Sequence, residues 1–518
     1  MPALLALVLA LSALLGTGSA TATRTPPPWD QRADPGQPTF TEAEAKDVLA
    51  RAKSQLRPDT KRVRSGKPVG QGPGSEITMT LRDLFLARTA LSGQERQEAD
   101  AVLARPSDSG GDSIDPSMSQ VSYDGRVRKH HCPTGGVACV HWVTAGYERI
   151  VDVSDDDGVE DGDGVPDYVE SVYATITQVW DYEIGALDYR RPMDDAGPFN
   201  ADNPDPKLDI YLAELGDRGL YGYCAPEGPT TSSRVSGYCV LDNDYSSVEF
   251  GAPPLNSLRV TAAHEFFHAV QFGYDVDEAI WFMEGTATWV EDEVYDSIND
   301  NYQFLAYSPI RYPRTSLDRG DGGYPYGSFI FFKYASERGD PAIVRSFWES
   351  AEAVGRTSMA AIRGVVGAAA WPSYFALFAS WNTLPRHSYS ERTGYPTPSF
   401  TFKKTLSSRS PSTGWRSANV GHLGSSPGLV APSSTLSTAK RLRVEVNGPN
   451  RSLGTAALLQ RRYKDGRVSH SMLTLNGYGN ASTLVGFNRT SISSITVILS
   501  NTASSGPTRE FKMRATLR

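Results

Sequence analysis

The residues best placed to do chemistry lie in one short run, Thr261-Ala262-Ala263-His264-Glu265-Phe266-Phe267-His268. On a helix, residues four apart share a face about one turn apart, so His264 and His268 could both reach one metal ion. Glu265 sits one step round, close enough to take a proton from a water beside that metal. The surrounding residues, Val260, Ala263, Phe266, Phe267 and Val270, are apolar. Two histidines and a glutamate in so apolar a helix are costly unless they have partners. A catalytic zinc needs a third protein ligand and an open position. Trp281-Phe282-Met283-Glu284-Gly285-Thr286-Ala287 offers one. Glu284 follows His268 after a turn at Gly273–Asp277, and Glu284, Thr288 and Glu291 fall on one face at i, i+4 and i+7. Two antiparallel helices would then bring His264, His268 and Glu284 to one Zn2+, with Glu265 as general base.

These elements sit in a chain of 518 residues carrying 51 Lys+Arg against 59 Asp+Glu, a net charge of −8. At roughly 100–200 residues per domain, that length suggests about three domains. Hydrophobic residues make up 39 % and aromatics 10 %, enough for a sizeable core. The mildly acidic balance argues against nucleic acid or an anionic membrane as main partner. The one long apolar run, Leu4–Leu15, is short and N-terminal; with the small residues Gly16–Ala22 behind it, it reads as a secretory signal peptide over 1–22, hence a secreted protein. No membrane span is expected.

Export makes disulfides possible. Four cysteines allow three connectivities, and short loops favour Cys132 with Cys139 and Cys224 with Cys239. Residues 23–120 read as a loosely built N-terminal segment, either a propeptide or an ordinary helical subdomain, with helices over Thr41–Leu56 and Met79–Leu103. A strand is expected at His141–Val153, a helix at Tyr168–Leu187, a strand at Leu208–Leu212, then helices at Arg259–Phe272, Ala279–Val294, Phe329–Arg338 and Pro341–Ala353. After Pro385 the texture changes to Ser, Thr, Gly and Pro with short alternating apolar runs, which predicts an all-β sandwich over 386–518. The fold class is α+β: a catalytic domain over 121–385 and the β-sandwich behind it.

Between Asp152 and Glu170 the chain has acids but no Lys or Arg. D-x-D-G-x-x-D occurs twice in tandem: Asp155/Asp157/Asp161, then Asp161/Asp163/Asp167. Such carboxylates around a glycine turn can wrap a hard cation, so 152–170 is expected to hold a structural Ca2+. The stretch resembles thrombospondin type 3 and EF-hand-like loops.

HExxH followed by W-x-x-E-G-x-A-x-x-x-E resembles the gluzincin metallopeptidases, the thermolysin and aminopeptidase N group. The matching positions are His264, Glu265, His268, Trp281, Glu284, Gly285, Ala287 and Glu291. Closer still is the similarity to secreted bacterial metalloproteases with H-E-F-F-H-A-x-Q-F-G-Y-D and M-E-G-T-A-x-W-x-E-D-E, here His264–Asp275 and Met283–Glu293, over roughly residues 75–385. The resemblance implies a zincin-like fold, Glu284 as third zinc ligand and a protein or peptide substrate. Thr288 stands where thermolysin-type enzymes carry an Asp that orients a histidine. The G-x-M-x-N motif of aminopeptidases is absent, which favours an endopeptidase. Gluzincins use Tyr or His to steady the oxyanion, and Tyr326 in Tyr324-Pro325-Tyr326-Gly327 is the candidate. Two other functions fit: a non-catalytic, calcium-dependent extracellular binding or adhesion protein, and a zinc hydrolase of another ester or amide bond.

Overall fold

The computed structural model describes residues 40–59, 77–108, 120–152, 164–195, 207–352 and 357–518. The expected signal peptide and the candidate calcium ligands Asp155, Asp157, Asp161 and Asp163 lie outside these residues; Asp167 lies within them, in the first turn of a helix. The described residues form a mixed α+β protein with 13 helices and three β-sheets. No helix among them is long and apolar enough to cross a membrane.

The first sheet has five strands: β1 (Lys129–His131), β2 (Ala138–Trp142), β3 (Leu208–Ala213), β4 (Gly222–Glu227) and β5 (Ser236–Asp242). Their spatial order is β1-β2-β3-β5-β4. β2, β3 and β5 run parallel, and the two edge strands pair antiparallel. β2 and β3 are buried along their whole length, as expected of parallel strands covered on both faces. Both disulfides form as expected, Cys132–Cys139 and Cys224–Cys239. Cys224 stands directly opposite Cys239 in the β4–β5 register, and Cys132 and Cys139 close the end of the β1–β2 hairpin.

Some elements differ from the expectation. The helix expected at Met79–Leu103 is two, Thr78–Ala87 and Gly93–Val102, because Leu91 and Ser92 are extended and Gly93 takes a positive φ. The strand expected at His141–Val153 is Ala138–Trp142; the chain then turns through Gly146, at φ +94°. The helix expected at Tyr168–Leu187 is α-helical only to Trp180 and continues as a π-turn over Asp181–Ala186.

The C-terminal region is β-rich. One sheet joins β6 (Phe402–Leu406), β8 (Gly424–Pro432), β10 (Thr455–Tyr463), β11 (Val468–Met472) and β13 (Ile492–Asn501); the other joins β7 (Arg416–Val420), β9 (Arg441–Asn447), β12 (Asn480–Gly486) and β14 (Arg509–Leu517). Leu459, Val497 and Leu499 of the first share one apolar cluster with Val444, Phe511 and Met513 of the second, the way a sandwich is built. A small cluster of Ala376, Ala379, Leu458 and Ile498 joins this region to the helices ahead of it.

Candidate metal centre

The helix Pro254–Phe272 begins with proline at its first position and is buried from Ser257 onward, apart from Arg259. It packs on β4 and β5 and against the helix Ile280–Val294. On its other side that second helix sits close to the helices Tyr324–Gly327 and Phe329–Arg338 because position 285 is glycine: a Cβ there would lie 2.8 Å from the Phe332 ring and 3.3 Å from the Pro325 carbonyl. The turn between the helices is short, so they return antiparallel with facing side chains.

Four polar side chains of the first helix, His264, Glu265, His268 and Gln271, are at most 1 % exposed. Buried polar groups must find partners, and here the partners fix their chemistry. Gln271 Nε2 donates to the Met283 carbonyl at 2.9 Å and to Thr286 Oγ1 at 3.0 Å. A carbonyl can only accept, so the amide orientation is settled and Oε1 faces His268 Nδ1 at 2.8 Å. An amide oxygen can only accept as well, so His268 Nδ1 carries the proton and Nε2 is a bare lone pair. His264 Nδ1 stands 2.6 Å from Glu291 Oε1, and by the same logic its proton lies on Nδ1.

The two Nε2 atoms thus point at one another, 3.0 Å apart, each without a proton of its own to share. Glu284 Oε2 completes the triangle at 3.2 Å from His264 Nε2 and 3.7 Å from His268 Nε2. Two imidazole lone pairs and a carboxylate oxygen repel unless a cation lies between them. Two ligands about 2.0–2.1 Å from a tetrahedral zinc lie about 3.3 Å apart, and the three separations bracket that value. Among the described residues, His264, His268 and Glu284 are one of the groups whose donor atoms all fall within 4.8 Å of one another. The donor set fits zinc. Glu284, 1 % exposed, supplies a carboxylate oxygen as the third donor.

Glu265 lies against β4. A Cβ at Gly222 would fall 3.1 Å from Glu265 Cγ and 2.7 Å from Thr261 Cγ2, so glycine lets the strand sit there. Thr78 Oγ1 donates to Glu265 Oε2 at 2.8 Å. Tyr326, 8 % exposed, stacks its ring between Phe304 and His264, with centroids 4.8 and 6.3 Å away. The structure therefore brings His264, Glu265, His268, Glu284 and Tyr326 together.

Two side chains that hold the histidines have roles that spacing alone does not assign. Glu291 lies on the Glu284 face, and its carboxylate accepts from His264 Nδ1. Gln271 had a usable signal, three positions after His268 on the same helix. Glu183, in the π-turn, is wholly buried, and burial raises its carboxyl well above the usual range.

Comparison with known proteins adds no identity to this geometry: no family model matches the chain, and no curated protein is significantly similar to it.

Proposed function

We propose that the chain is a secreted, zinc-dependent endopeptidase of gluzincin-like type, with a zincin-like catalytic domain over 121–385. One observation carries the reading: two histidine Nε2 atoms and a carboxylate oxygen converge, and both imidazoles are pinned by acceptors at Nδ1. A zinc ion bound there supplies Lewis-acid polarisation of a peptide carbonyl and makes water acidic enough to lose a proton near neutral pH. His264, His268 and Glu284 are the residues that would hold it.

The chain's own groups do the rest. Glu265 takes the proton of the attacking water and hands it to the leaving amine. Tyr326, held against His264, offers its phenol to the oxyanion. Glu291 and Gln271 keep the imidazoles in the ligand-forming tautomer. Burial of the whole group strengthens each of these interactions. In the same reading, Asp155, Asp157, Asp161, Asp163 and Asp167 hold a structural calcium ion, and the two disulfides suit an oxidising compartment.

The test is metal analysis with activity on casein and peptides for the wild type and Glu265→Gln. The expected result is one zinc per chain in both, with peptide hydrolysis lost at least 1,000-fold on the order expected for removal of a general base in a concerted site. A variant that still hydrolyses peptides at the wild-type rate would refute the assignment.

A further inference from the structure

The N-terminal helices reach the reacting groups. Thr78 is the first residue of the helix Thr78–Ala87 and is wholly buried. Its hydroxyl accepts the backbone N–H of Cys224 at 2.9 Å, on the outer edge of strand β4. With that lone pair engaged, its own proton goes to Glu265 Oε2 at 2.8 Å. One hydroxyl thus ties the sheet edge to the candidate base, across 187 positions of sequence.

The same segment is anchored at three further points. Arg82, 3 % exposed, donates to the carbonyls of Val276 at 3.1 Å and Glu278 at 2.6 Å, in the turn that joins the two metal-bearing helices. Arg105, 1 % exposed, pairs with Asp209, with Asp195 at 3.0 Å and with Glu227 at 2.5 Å. Leu81, Leu84 and Phe85 belong to the apolar cluster that contains Ala262 and Phe266 of the HExxH helix. Taking the segment away would leave Asp209 in the sheet interior without its guanidinium and open that cluster to water.

We propose that Thr78 is the positioning residue for Glu265, and that residues 77–108 are a permanent part of the catalytic unit rather than a leader shed on maturation. This rests on the metallopeptidase reading of the site. The hydroxyl fixes the plane of the carboxylate by holding Oε2, which leaves Oε1 as the oxygen that exchanges protons. Threonine at this position does what no apolar residue of the same shape can.

The experiment uses the full-length chain as wild type, Thr78→Val and Thr78→Ser, each loaded with zinc. Four quantities are read: kcat and KM on a peptide, zinc content, and the affinity for acetohydroxamate, whose hydroxyl proton needs a carboxylate acceptor beside the metal. Thr78→Val should lose about 10- to 100-fold in kcat with KM and zinc content within twofold, and should bind acetohydroxamate several-fold more weakly. Thr78→Ser should restore both to near wild type. Wild-type kcat and hydroxamate affinity in Thr78→Val would overturn the proposal, as would a serine variant no better than valine, since that is the mark of packing alone. Active secreted protein beginning after residue 108 would overturn it too. If wild-type chain hydrolyses no peptide, the peptidase reading fails, and the hydroxamate comparison still decides whether Thr78 positions Glu265. Should Thr78→Val fail to fold, Thr78→Ala replaces it in the same comparison.

Discussion

Replacing Gln271 by leucine isolates the tautomer argument on which the metal centre stands. Gln271 is wholly buried and makes three hydrogen bonds: its Oε1 accepts from His268 Nδ1, and its Nε2 donates to Met283 and Thr286. Leucine keeps the volume roughly and removes all three. His268 then has two choices. It can keep its proton on Nδ1 with no acceptor, which costs about 1–3 kcal/mol in a buried site. Or it can move the proton to Nε2, where it occupies the position of the metal. Either way the ligand-forming state is lost by a similar free energy, so zinc affinity should fall about 10- to 100-fold, equivalent to about 1.4–2.7 kcal/mol. The assay is competition for zinc against a chromophoric chelator at fixed pH, with thermal unfolding run alongside to confirm that the apo variant is folded. Gln271→Glu is the control: it keeps an acceptor at Nδ1 and should hold zinc at least as tightly. A folded Gln271→Leu variant with zinc affinity within twofold of wild type would mean that Gln271 does not set the tautomer, and the convergence of lone pairs would lose its support.

The remaining predictions concern the frame around the site. Gly285→Ala should destabilise the fold by about 1–3 kcal/mol and weaken zinc binding, because the new methyl meets the Phe332 ring at 2.8 Å; wild-type unfolding and affinity would contradict the packing argument. Arg105→Met should lower stability by about 3–5 kcal/mol in a denaturant titration, since Asp209 would be left buried without its guanidinium. Asp275 is pushed up to about 8, first by burial and then by Glu278. A carboxyl whose folded value lies above its ordinary 3.8 binds its proton more tightly when folded, so stability is fullest below pH 4 and declines as pH rises toward 8. Asp275→Asn should therefore match wild type near pH 4 and exceed it by on the order of 2–4 kcal/mol at pH 8; equal stability at both pH values would remove the burial argument.

What could be read from the chain follows how far apart the partners are. His264 and His268 lie one turn apart on one helix, so their convergence is a property of local geometry; Ile280–Val294 falls at the expected limits, whereas Pro254–Phe272 begins more than a turn ahead of the expected Arg259, at a proline that suits a first helical position. Glu284 needed one further step, a short turn and an antiparallel return. Strands β4 and β5 were not anticipated, because Gly222-Tyr223-Cys224-Ala225-Pro226-Glu227 mixes glycine and proline into a run that alternates poorly. Proline is tolerated there because β4 is an edge strand, a fact that belongs to the sheet and not to the segment. Thr78 was out of reach for a stronger reason. Nothing within a helix turn of it marks it as different from other threonines; its meaning arises only when the sheet edge and the HExxH helix close around it. The same holds for Glu291, whose spacing placed it on the right face but whose acceptor role depends on where His264 points. Ligand identity is thus largely local, whereas the protonation state and orientation of those ligands are set by tertiary contacts. The histidine geometry should accordingly be sensitive to Glu291, which reaches His264 from the neighbouring helix, and the candidate base to Thr78, 187 positions away in sequence, while the HExxH pattern alone, transplanted to another helix, should bind zinc weakly and hydrolyse nothing.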